Sequence, residues 1–259
     1  MLLLVDIGNS STTFGISKGN DKYYTWHSPT NIIAKSRSFK KNQFENIKKA
    51  KINKNTISAV IICSVVPRLN CIIKKNYRYM LPNSKVLIIG KDIVIPIKNK
   101  YKCPEQVGND RLVNAVGAKS CYSMPAMVVD FGTAITIDVI SAKGDYLGGV
   151  IVPGINLSLN ALYANTALLP LLNPKKPKAV LGKDTKNSIL SGIFYGYSFL
   201  VDGLIGKLKA DLKKAPVVVA TGGNLKIMEP LCKSIDHYQP NLTLKGIEIA
   251  YKSSKNKAK

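Results

Sequence analysis

Two short stretches of the sequence place an aspartate, a glycine and hydroxyl side chains close together. They run from Asp6 to Thr13 and from Asp130 to Thr133, and in each an apolar run leads into the aspartate and a glycine follows two positions later. This pattern predicts two β-hairpins. Glycine turns uncover backbone N–H groups, which together with nearby hydroxyl groups can bind the anionic oxygens of phosphate. The candidate phosphate donors are Ser10, Ser11, Thr12 and Thr133.

A carboxylate beside such a turn needs a cation between itself and the phosphate, normally Mg²⁺ or a monovalent ion. Asp6 and Asp130 are therefore candidate cation ligands. For either stretch taken singly, the alternative is an ordinary hairpin with an aspartate in its turn. The two stretches lie about half the chain length apart, which indicates a duplicated domain and favours phosphate binding.

A third candidate site follows the loop that begins near Tyr101. The residues Gly108, Asn109, Asp110 and Arg111 place a carboxylate and a guanidinium at the predicted start of a helix. In phosphoryl transfer to an alcohol, an aspartate can accept the hydroxyl proton. An arginine can bind a carboxylate or a phosphate bidentately. The alternative is a structural ion pair in which Asp110 caps the helix, but in a chain with two phosphate hairpins we favour the catalytic role.

Length and composition fit a globular protein of two domains. The chain has 259 residues, of which 46% are hydrophobic, enough for a substantial core. The apolar N-terminus reaches Asp6 at once and no later stretch provides an uninterrupted transmembrane run, so we expect a cytoplasmic protein without a membrane partner. The five cysteines and two histidines are scattered and lack the spacing of a zinc site.

The net charge of +23 is the feature that would suggest nucleic-acid binding. Only four of the 38 basic residues are arginine, and the lysines are spread along the chain without interleaved aromatic residues. Lysine lacks the bidentate geometry of arginine. We therefore interpret the charge as a solvated surface that attracts anionic substrates, and we do not expect a nucleic-acid partner.

Hydrophobic periodicity predicts the same order of elements twice, and therefore two domains, 1–122 and 123–259. Each begins with three strands and continues with alternating helices and strands. In the second half we expect helices from Pro153 to about Asn165, from Thr185 to Leu212, from Asn224 to Ile235 and after Leu244, with a charged, disordered tail from Lys252. Glycines at four- and seven-residue steps in the helix after Thr185 predict close packing of another backbone.

This arrangement resembles the duplicated core of the actin, hexokinase and Hsp70 superfamily. The resemblance implies an α/β fold of two ribonuclease-H-like domains with an interdomain cleft. In that superfamily two phosphate hairpins and a glycine-rich adenosine turn bind ATP between the domains. The third of these elements would be Thr221-Gly222-Gly223.

The motifs also closely resemble those of the type III pantothenate kinases, over nearly the whole chain. The matching segments are Asp6–Ser10, Ser64–Pro67, Tyr101 with Pro104, Gly108 with Asp110 and Arg111, Asp130–Ala134 with Thr136 and Asp138, Gly148–Gly154, Thr166–Pro170, Gly182–Thr185, Gly192 with Gly196, Thr221–Gly223 and Leu242–Gly246. Departures are mild: Ser10 stands where the family usually has Thr, Cys103 where Asn is common and Leu190 where Gln is common.

The resemblance implies ATP-dependent phosphorylation of the terminal hydroxyl of pantothenate, the first step toward coenzyme A. It implies that Asp110 accepts the proton and that the pantothenate contacts are Tyr101, Gly108, Asn109, Asp110, Arg111 and Thr185. The implied ATP contacts are Asp6, Ile7, Gly8, Asn9, Ser10, Ser11, Thr12, Thr13, Thr133, Gly222 and Gly223. Mg-ATP would be the donor, with Asp6 as a candidate Mg²⁺ ligand, and Asp130 would bind a monovalent cation, K⁺ or NH₄⁺. The family is dimeric, with a substrate pocket closed partly by the partner subunit.

Two other functions are compatible with parts of the pattern. A different small-acceptor kinase of the superfamily would keep the phosphate hairpins, but it should lose the matches at Gly108–Arg111 and at Thr185, which are present. A non-catalytic ATP-binding relative, regulatory or associated with nucleic acid, would need no proton acceptor. The presence of Asp110 together with both hairpin aspartates argues against it.

Overall fold

The computed structural model describes residues 1–19, 22–212 and 214–256, and the chain divides into two compact units. Unit 1 contains Met1–Ile97, Lys102–Ser120 and the chain from Asn241 onward. Unit 2 contains Lys98–Tyr101 and Cys121–Pro240. Each unit has its own β-sheet and its own hydrophobic core.

The described residues form ten strands and seven α-helices. In chain order these are β1 Leu2–Ile7, β2 Ser11–Ser17, β3 Tyr23–Pro29, α1 Ser36–Lys49, β4 Ala59–Ser64, α2 Pro67–Met80, β5 Lys85–Ile88, α3 Asn109–Cys121, β6 Ala126–Phe131, β7 Ala134–Ile140, β8 Tyr146–Pro153, α4 Ile155–Ala164, α5 Thr185–Ala210, β9 Val217–Thr221, α6 Leu225–Met228, β10 His237–Tyr238 and α7 Leu242–Asn256. Short 3₁₀ helices lie at Thr30–Ala34, Lys54–Thr56 and Pro104–Gln106.

The sheet of unit 1 has the strand order β3-β2-β1-β4-β5. Strand β1 pairs antiparallel with β2 and parallel with β4, and every residue of β4 is buried. A strand buried on both faces explains the continuous apolar run in this part of the sequence. One face carries the core that includes Phe14, Phe39 and Tyr77, and the other packs against residues of α3 and α7.

The sheet of unit 2 repeats this topology. Its order is β10-β9-β6-β7-β8, and β6 pairs antiparallel with β7 and parallel with β9, as β1 does with β2 and β4. Both aspartates of the predicted phosphate hairpins therefore lie near the end of the central strand of their sheet. The predicted α/β class, with two duplicated units, is confirmed.

Helix α7 completes unit 1 through close contacts with α3 and β2. A Cβ added at Gly246 would collide with the backbone carbonyl of Val113 in α3, and one added at Gly117 would lie 2.8 Å from the carbonyl oxygen of Leu242. The buried carboxylate of Glu248 accepts hydrogen bonds from Ser17 Oγ at 3.1 Å and Tyr23 Oη at 2.8 Å. The last helix is thus bound to the first hairpin as well as to α3.

The two units differ from the predicted domains 1–122 and 123–259 in three segments. Residues 98–101 and 121–122 belong to unit 2, and the chain from Asn241 belongs to unit 1. A prediction that divides the chain at a single residue cannot assign these segments to the other unit, because each assignment depends on contacts between residues far apart in the sequence. The tail predicted to be disordered from Lys252 is helical to Asn256, and residues 257–259 lie outside the described residues.

Two further predictions in unit 2 were wrong. Pro153 ends strand β8 instead of opening a helix, since it pairs with Ala134 at the sheet edge, where a missing N–H is tolerated. The helix predicted from Asn224 to Ile235 is only the single turn α6, because Pro230 disfavours helical conformation just before it. The chain then forms β10 beside β9.

Helix α5 is long and apolar enough to cross a membrane by length and composition, with a mean hydropathy of 1.4. The run is interrupted by Asp202, so α5 is not the uninterrupted apolar run whose absence the sequence predicts. About a third of the apolar 18-residue stretch of α5 is buried inside the chain. Phe194, Val201 and Ile205 of α5 belong to the core of unit 2. Added Cβ atoms at Gly192, Gly196 and Gly203 would meet no atom within 4 Å, so within the described residues no other backbone packs there.

We expect Gly246→Ala to destabilise the protein by about 1–3 kcal/mol, because the new methyl group must push α7 away from α3. Gly206→Ala is the matched control: this helical glycine has open space around it, so alanine should stabilise α5 by about 0.5–1 kcal/mol. Urea unfolding followed by circular dichroism measures both. A Gly246→Ala protein as stable as wild type would contradict tight packing of the two helices.

Candidate active site

The first hairpin holds its turn with backbone and threonine hydrogen bonds. Gly8 N donates to Ser11 O at 3.0 Å, and a Cβ at Gly8 would lie 2.9 Å from the same oxygen. Thr30 Oγ1 donates to Gly8 O at 2.7 Å and lies 3.0 Å from Thr12 Oγ1. Because the Thr30 proton is already used, the buried Thr12 hydroxyl donates to Thr30. Its side chain therefore fixes the turn, and the turn depends on glycine.

The remaining hairpin residues differ in exposure. Asn9, Ser10 and Ser11 are exposed at the turn, whereas the side chain of Ile7 is fully buried. Thr13 Oγ1 lies 3.1 Å from His27 Nδ1 on the neighbouring strand. The groups that this hairpin presents at its tip are thus the turn's backbone and the two serine hydroxyls.

Asp110 lies in the first turn of α3 and is placed there by glycine and asparagine. Asn109 Nδ2 donates to Ile89 O at 3.2 Å, and the Asn109 side chain occupies the space beside Gly90, whose φ is +81°. A Cβ at Gly108 would collide with Asp110 Oδ1. Any larger residue at position 108 would therefore displace this carboxylate.

The Asp110 carboxyl has a raised pKa. Burial is the largest cause, and it is partly offset by the hydrogen bond from Arg111 N, at 2.8 Å to Oδ1, and by the positive charge of Arg111. A carboxylate with a raised pKa is a stronger base than an exposed aspartate. The arginine itself is buried, with 8% of its surface exposed.

Asp6 and Asp110 both lie close to the buried thiol of Cys63. Burial raises the pKa of Cys63 well above its usual range, and the charges of Asp6 and Asp110 raise it further. Cys63 is the cross-strand partner of Asp6 in β4. Unit 1 therefore brings the hairpin aspartate and the aspartate of α3 together. The sequence analysis assigned no site role to Cys63. Its place beside Asp6 follows from the register of β1 and β4, which the sequence alone does not show.

In unit 2 the carboxylate of Asp130 is surrounded by glycines. A Cβ at Gly222 would lie 2.5 Å from Asp130 Oδ1, and one at Gly132 would lie 3.3 Å from it. Gly222 has a φ of +105°, a backbone conformation that residues with a side chain rarely adopt. Thr221, just before it, pairs with Asp130 across β9 and β6. The glycines therefore let the backbone approach the Asp130 carboxylate more closely than a residue with a side chain would allow.

The Thr133 turn is closed by a further glycine that the sequence reasoning did not single out as a site residue. Gly154 N donates to Thr133 O at 3.0 Å, and a Cβ at Gly154 would collide with that oxygen. Thr133 itself is exposed, and Gly223 has open space around it. Unit 2 thus brings Asp130, Thr133 and the glycines that follow β9 together at one end of its sheet.

The other two predicted substrate residues also lie in unit 2. Thr185 is exposed and begins α5, where Asp184 caps the helix by accepting from Asn187 N at 2.8 Å. The hydrogen bonds that the backbone N–H and the side-chain amide of Asn187 donate to Asp184 lower the pKa of its carboxyl. Tyr101 is half-buried, with its ring beside Gly148. Among the described residues, no group of three or more His, Cys, Asp or Glu side chains forms a metal cluster.

Solved structures show the same fold at low sequence identity. A putative Baf family transcriptional activator from Campylobacter jejuni matches with TM-score 0.56 and 22% identity, covering 98% of both chains. The ethanolamine utilization protein EutJ from Carboxydothermus hydrogenoformans matches with TM-score 0.56 and 11% identity, covering 96% of this chain and 89% of that one. At these identities the likeness concerns the fold alone.

Sequence comparison is more specific. The family model described as type III pantothenate kinase matches residues 2–207. A type III pantothenate kinase from Syntrophus aciditrophicus is 38% identical over 253 residues, covering 97% of this chain and 99% of that protein. Another, from Halalkalibacterium halodurans, is 38% identical over 257 residues, covering 98% and 100%. The chain therefore belongs to the type III pantothenate kinase family.

Proposed function

We propose that this protein transfers the γ-phosphate of ATP to the terminal hydroxyl of pantothenate, the first step of coenzyme A synthesis. The observation that carries the proposal is the Asp110 carboxyl of raised pKa, placed with Asp6 beside the Cys63 thiol. Membership of the type III pantothenate kinase family and the names of the curated relatives support the substrate. A non-catalytic role is not favoured, since a protein that only binds ATP has no need for such a base.

Asp110 acts as the proton acceptor for the pantothenate hydroxyl. Its raised pKa, which comes mainly from burial, increases its affinity for the proton. The transition state of phosphoryl transfer is loose, so orienting the hydroxyl contributes as much as removing its proton. Arg111 binds the carboxylate of pantothenate, and its burial removes competing water. The further substrate contacts are Tyr101, Gly108, Asn109 and Thr185.

Mg-ATP is the proposed donor. The phosphate-binding residues in unit 1 are those of the Asp6–Thr13 hairpin, through the turn backbone and the exposed serine hydroxyls. Those in unit 2 are Thr133, Gly222 and Gly223. Asp6, half-buried near the end of β1, is a hard oxygen ligand of the kind that Mg²⁺ prefers. When bound, Mg²⁺ neutralises phosphate charge that would otherwise repel the carboxylates.

Asp130 is proposed to bind a monovalent cation, K⁺ or NH₄⁺. The fit rests on the chemistry of the donor: Asp130 offers a half-buried carboxylate near the end of β6, and oxygen is the ligand atom that such hard cations prefer. An ionised carboxylate next to a phosphate turn needs a counter-ion, because like charges at short range would weaken ATP binding. Asp130 would hold that ion, and the ion would compensate the negative charge of the Asp130 carboxylate.

A homodimer is the proposed assembly, with the partner on an apolar groove between α4 and α5. The groove has a volume of about 880 Å³, and its lining includes Leu157, Leu162, Gly196 and Leu200. The open glycines Gly192 and Gly196 of α5 lie along it, as expected where a second copy approaches the helix closely. We also propose that the enzyme works in the cytoplasm, where ATP is available, without a membrane or nucleic-acid partner.

The function is tested by a coupled assay of purified protein with pantothenate and Mg-ATP. We expect turnover, and we expect Asp110→Asn to lower kcat by about 10²–10⁴-fold while pantothenate still binds. Wild-type kcat/KM should fall as the pH drops through the raised pKa of Asp110, because only the ionised form accepts a proton. This acid limb should disappear in Asp110→Asn.

Asp92→Asn is the matched control, since it makes the same chemical change in unit 1 at a surface ion pair with Lys74. Arg111→Ala should raise KM for pantothenate more than KM for ATP. ATP turnover with another alcohol but none with pantothenate would overturn the proposed substrate. A folded Asp110→Asn enzyme of normal kcat would return Asp110 to a helix-capping role.

For the cation, we expect Asp130→Asn to reduce activation by K⁺ and to raise KM for ATP together, because the neutral amide no longer attracts the ion. A titration of activity with KCl at constant ionic strength measures both. Asp236→Asn changes a carboxylate of the same unit that accepts from Val218 N and should leave the titration unchanged. An Asp130→Asn response equal to wild type would make Asp130 structural.

For the dimer, we expect Gly196→Leu to give a monomer, because the new side chain fills the groove that the partner occupies. Gly203→Leu places the same side chain on α5 at an open position outside the groove lining and should remain dimeric. Light scattering at assay concentration distinguishes the two. A wild-type protein that is monomeric and fully active would refute the assembly.

A further inference from the structure

A four-residue segment connects the predicted substrate residue Tyr101 to the sheet of unit 2. Residues Lys98–Tyr101 belong to unit 2, although the chain on both sides of them belongs to unit 1. Two backbone hydrogen bonds attach the segment to Tyr146, the first residue of β8: Tyr146 N donates to Lys98 O at 2.9 Å, and Lys100 N donates to Tyr146 O at 2.8 Å. Tyr146 is thus the attachment point of the segment.

The orientation of Tyr101 depends on the same contacts. Its N–H donates to Asn99 Oδ1 at 2.9 Å, which fixes the turn after the paired residue Asn99. Two ring carbons of Tyr101 lie 3.4 Å from the position that a Cβ on Gly148 would take. Gly148 has φ +135°, so any other residue there would be strained. Backbone pairing and a glycine surface together determine where the ring lies.

The Tyr146 side chain is held by a buried carboxylate that the proposed chemistry does not use. Tyr146 and Asp138 are both fully buried, and Tyr146 Oη donates to Asp138 Oδ1 at 2.7 Å. Thr136 Oγ1 donates to the other carboxylate oxygen at 3.2 Å. A hydrogen bond between two fully buried side chains fixes both of them, and removing its donor costs more than losing an exposed hydrogen bond.

The strand pairing at this point is irregular in a way that involves Tyr146. The register of β7 and β8 shifts between Val139 and Ile140, and Ile140 is the residue that pairs with Tyr146. A bulge bends a strand and redirects the side chains beside it. A hydrogen bond from Tyr146 to Asp138, which lies in the regular part of β7, fixes the position of β8 beyond the irregularity.

We propose that Asp138 and Tyr146 are positioning residues that hold the Lys98–Tyr101 segment so that Tyr101 can contact pantothenate. This inference rests on the proposed function. Neither residue touches the substrate: Asp138 fixes the Tyr146 side chain, the Tyr146 backbone fixes the segment, and the segment presents Tyr101. Loss of the side-chain hydrogen bond should therefore weaken pantothenate binding specifically.

The other interpretation is a hydrogen bond that only stabilises the core, and the chain contains a matched example. Tyr77 in unit 1 is also fully buried, and its hydroxyl donates to Gln43 Oε1 at 3.0 Å. Its neighbours in the core include Phe39, at a ring distance of 5.5 Å, and none of the predicted substrate residues. Tyr77→Phe thus reproduces the loss of a buried hydroxyl without the proposed positioning effect.

The experiment compares Tyr146→Phe with Tyr77→Phe in the full-length enzyme. Tyr146→Phe should raise KM for pantothenate about five- to tenfold, the effect of one lost hydrogen bond, and leave KM for ATP unchanged. Tyr77→Phe should lower the melting temperature without changing either KM. Equal effects of the two variants on both KM values would overturn the proposal.

Amide hydrogen exchange gives a readout independent of activity. In wild type the amide of Lys100 should exchange as slowly as the amides of β8, and in Tyr146→Phe it should exchange faster while those of β6 keep their protection. Fast exchange at Lys100 in wild type would overturn the proposal even if the variant failed to fold. Tyr101→Ala separates the two hypotheses: turnover of pantothenate with unchanged KM would refute the positioning role and leave the kinase assignment intact.

Discussion

The structure depends on a half-buried aspartate carboxylate in each unit, Asp6 in unit 1 and Asp130 in unit 2. In each unit that carboxylate lies near the end of a central strand, between an antiparallel and a parallel neighbour. A tight turn leads into the antiparallel neighbour, and the parallel one brings a second chain segment alongside. Glycine is required because a Cβ at Gly8 would lie 2.9 Å from Ser11 O and one at Gly222 would lie 2.5 Å from Asp130 Oδ1. The shared strand order of the two sheets thus places an aspartate and a glycine turn at corresponding positions in both units.

The two units nevertheless use this framework differently. Unit 1 adds Asp110 from α3, so two carboxylates share the surroundings of Cys63. The thiol there stays protonated, because burial and both negative charges oppose its ionisation. It therefore lies beside the acidic groups without adding a third charge. In unit 2 glycines pack against a single carboxylate, that of Asp130.

Much of this fold could be predicted from the sequence because short, local patterns determine it. Alternating apolar residues with glycine turns predicted both hairpins. The final helix was predicted too short because its lysines suggested a solvated tail. In the structure Lys252 forms an ion pair with Glu248 at 2.6 Å, and Lys255 lies 4.9 Å from the centre of the Tyr251 ring. Those contacts need a partner one helical turn away, which composition alone does not reveal.

For the candidate site, the types of the residues could be predicted from the sequence, but their hydrogen-bond partners and contacts could not. The sequence identified hydroxyl groups after each glycine, but Thr12 donates inward to Thr30, a residue 18 positions away. Likewise the significance of Cys63 comes from a strand register, and that of Tyr146 from the chain returning to it at Lys98. Long-range pairing decides which polar groups face a ligand and which hold the framework.

The position of α7 also has a consequence for how the protein is made. Residues 1–120 supply most of unit 1, yet the helix that covers one face of its sheet is encoded after all of unit 2. During synthesis, Leu4, Ile61 and Val113 leave the ribosome long before Leu244 and Ile247, their partners in that cluster. The second unit has its full set of residues first, although domains usually fold in order from the N-terminus. During synthesis this apolar sheet face therefore lacks its α7 cover until the last residues of the chain have been added.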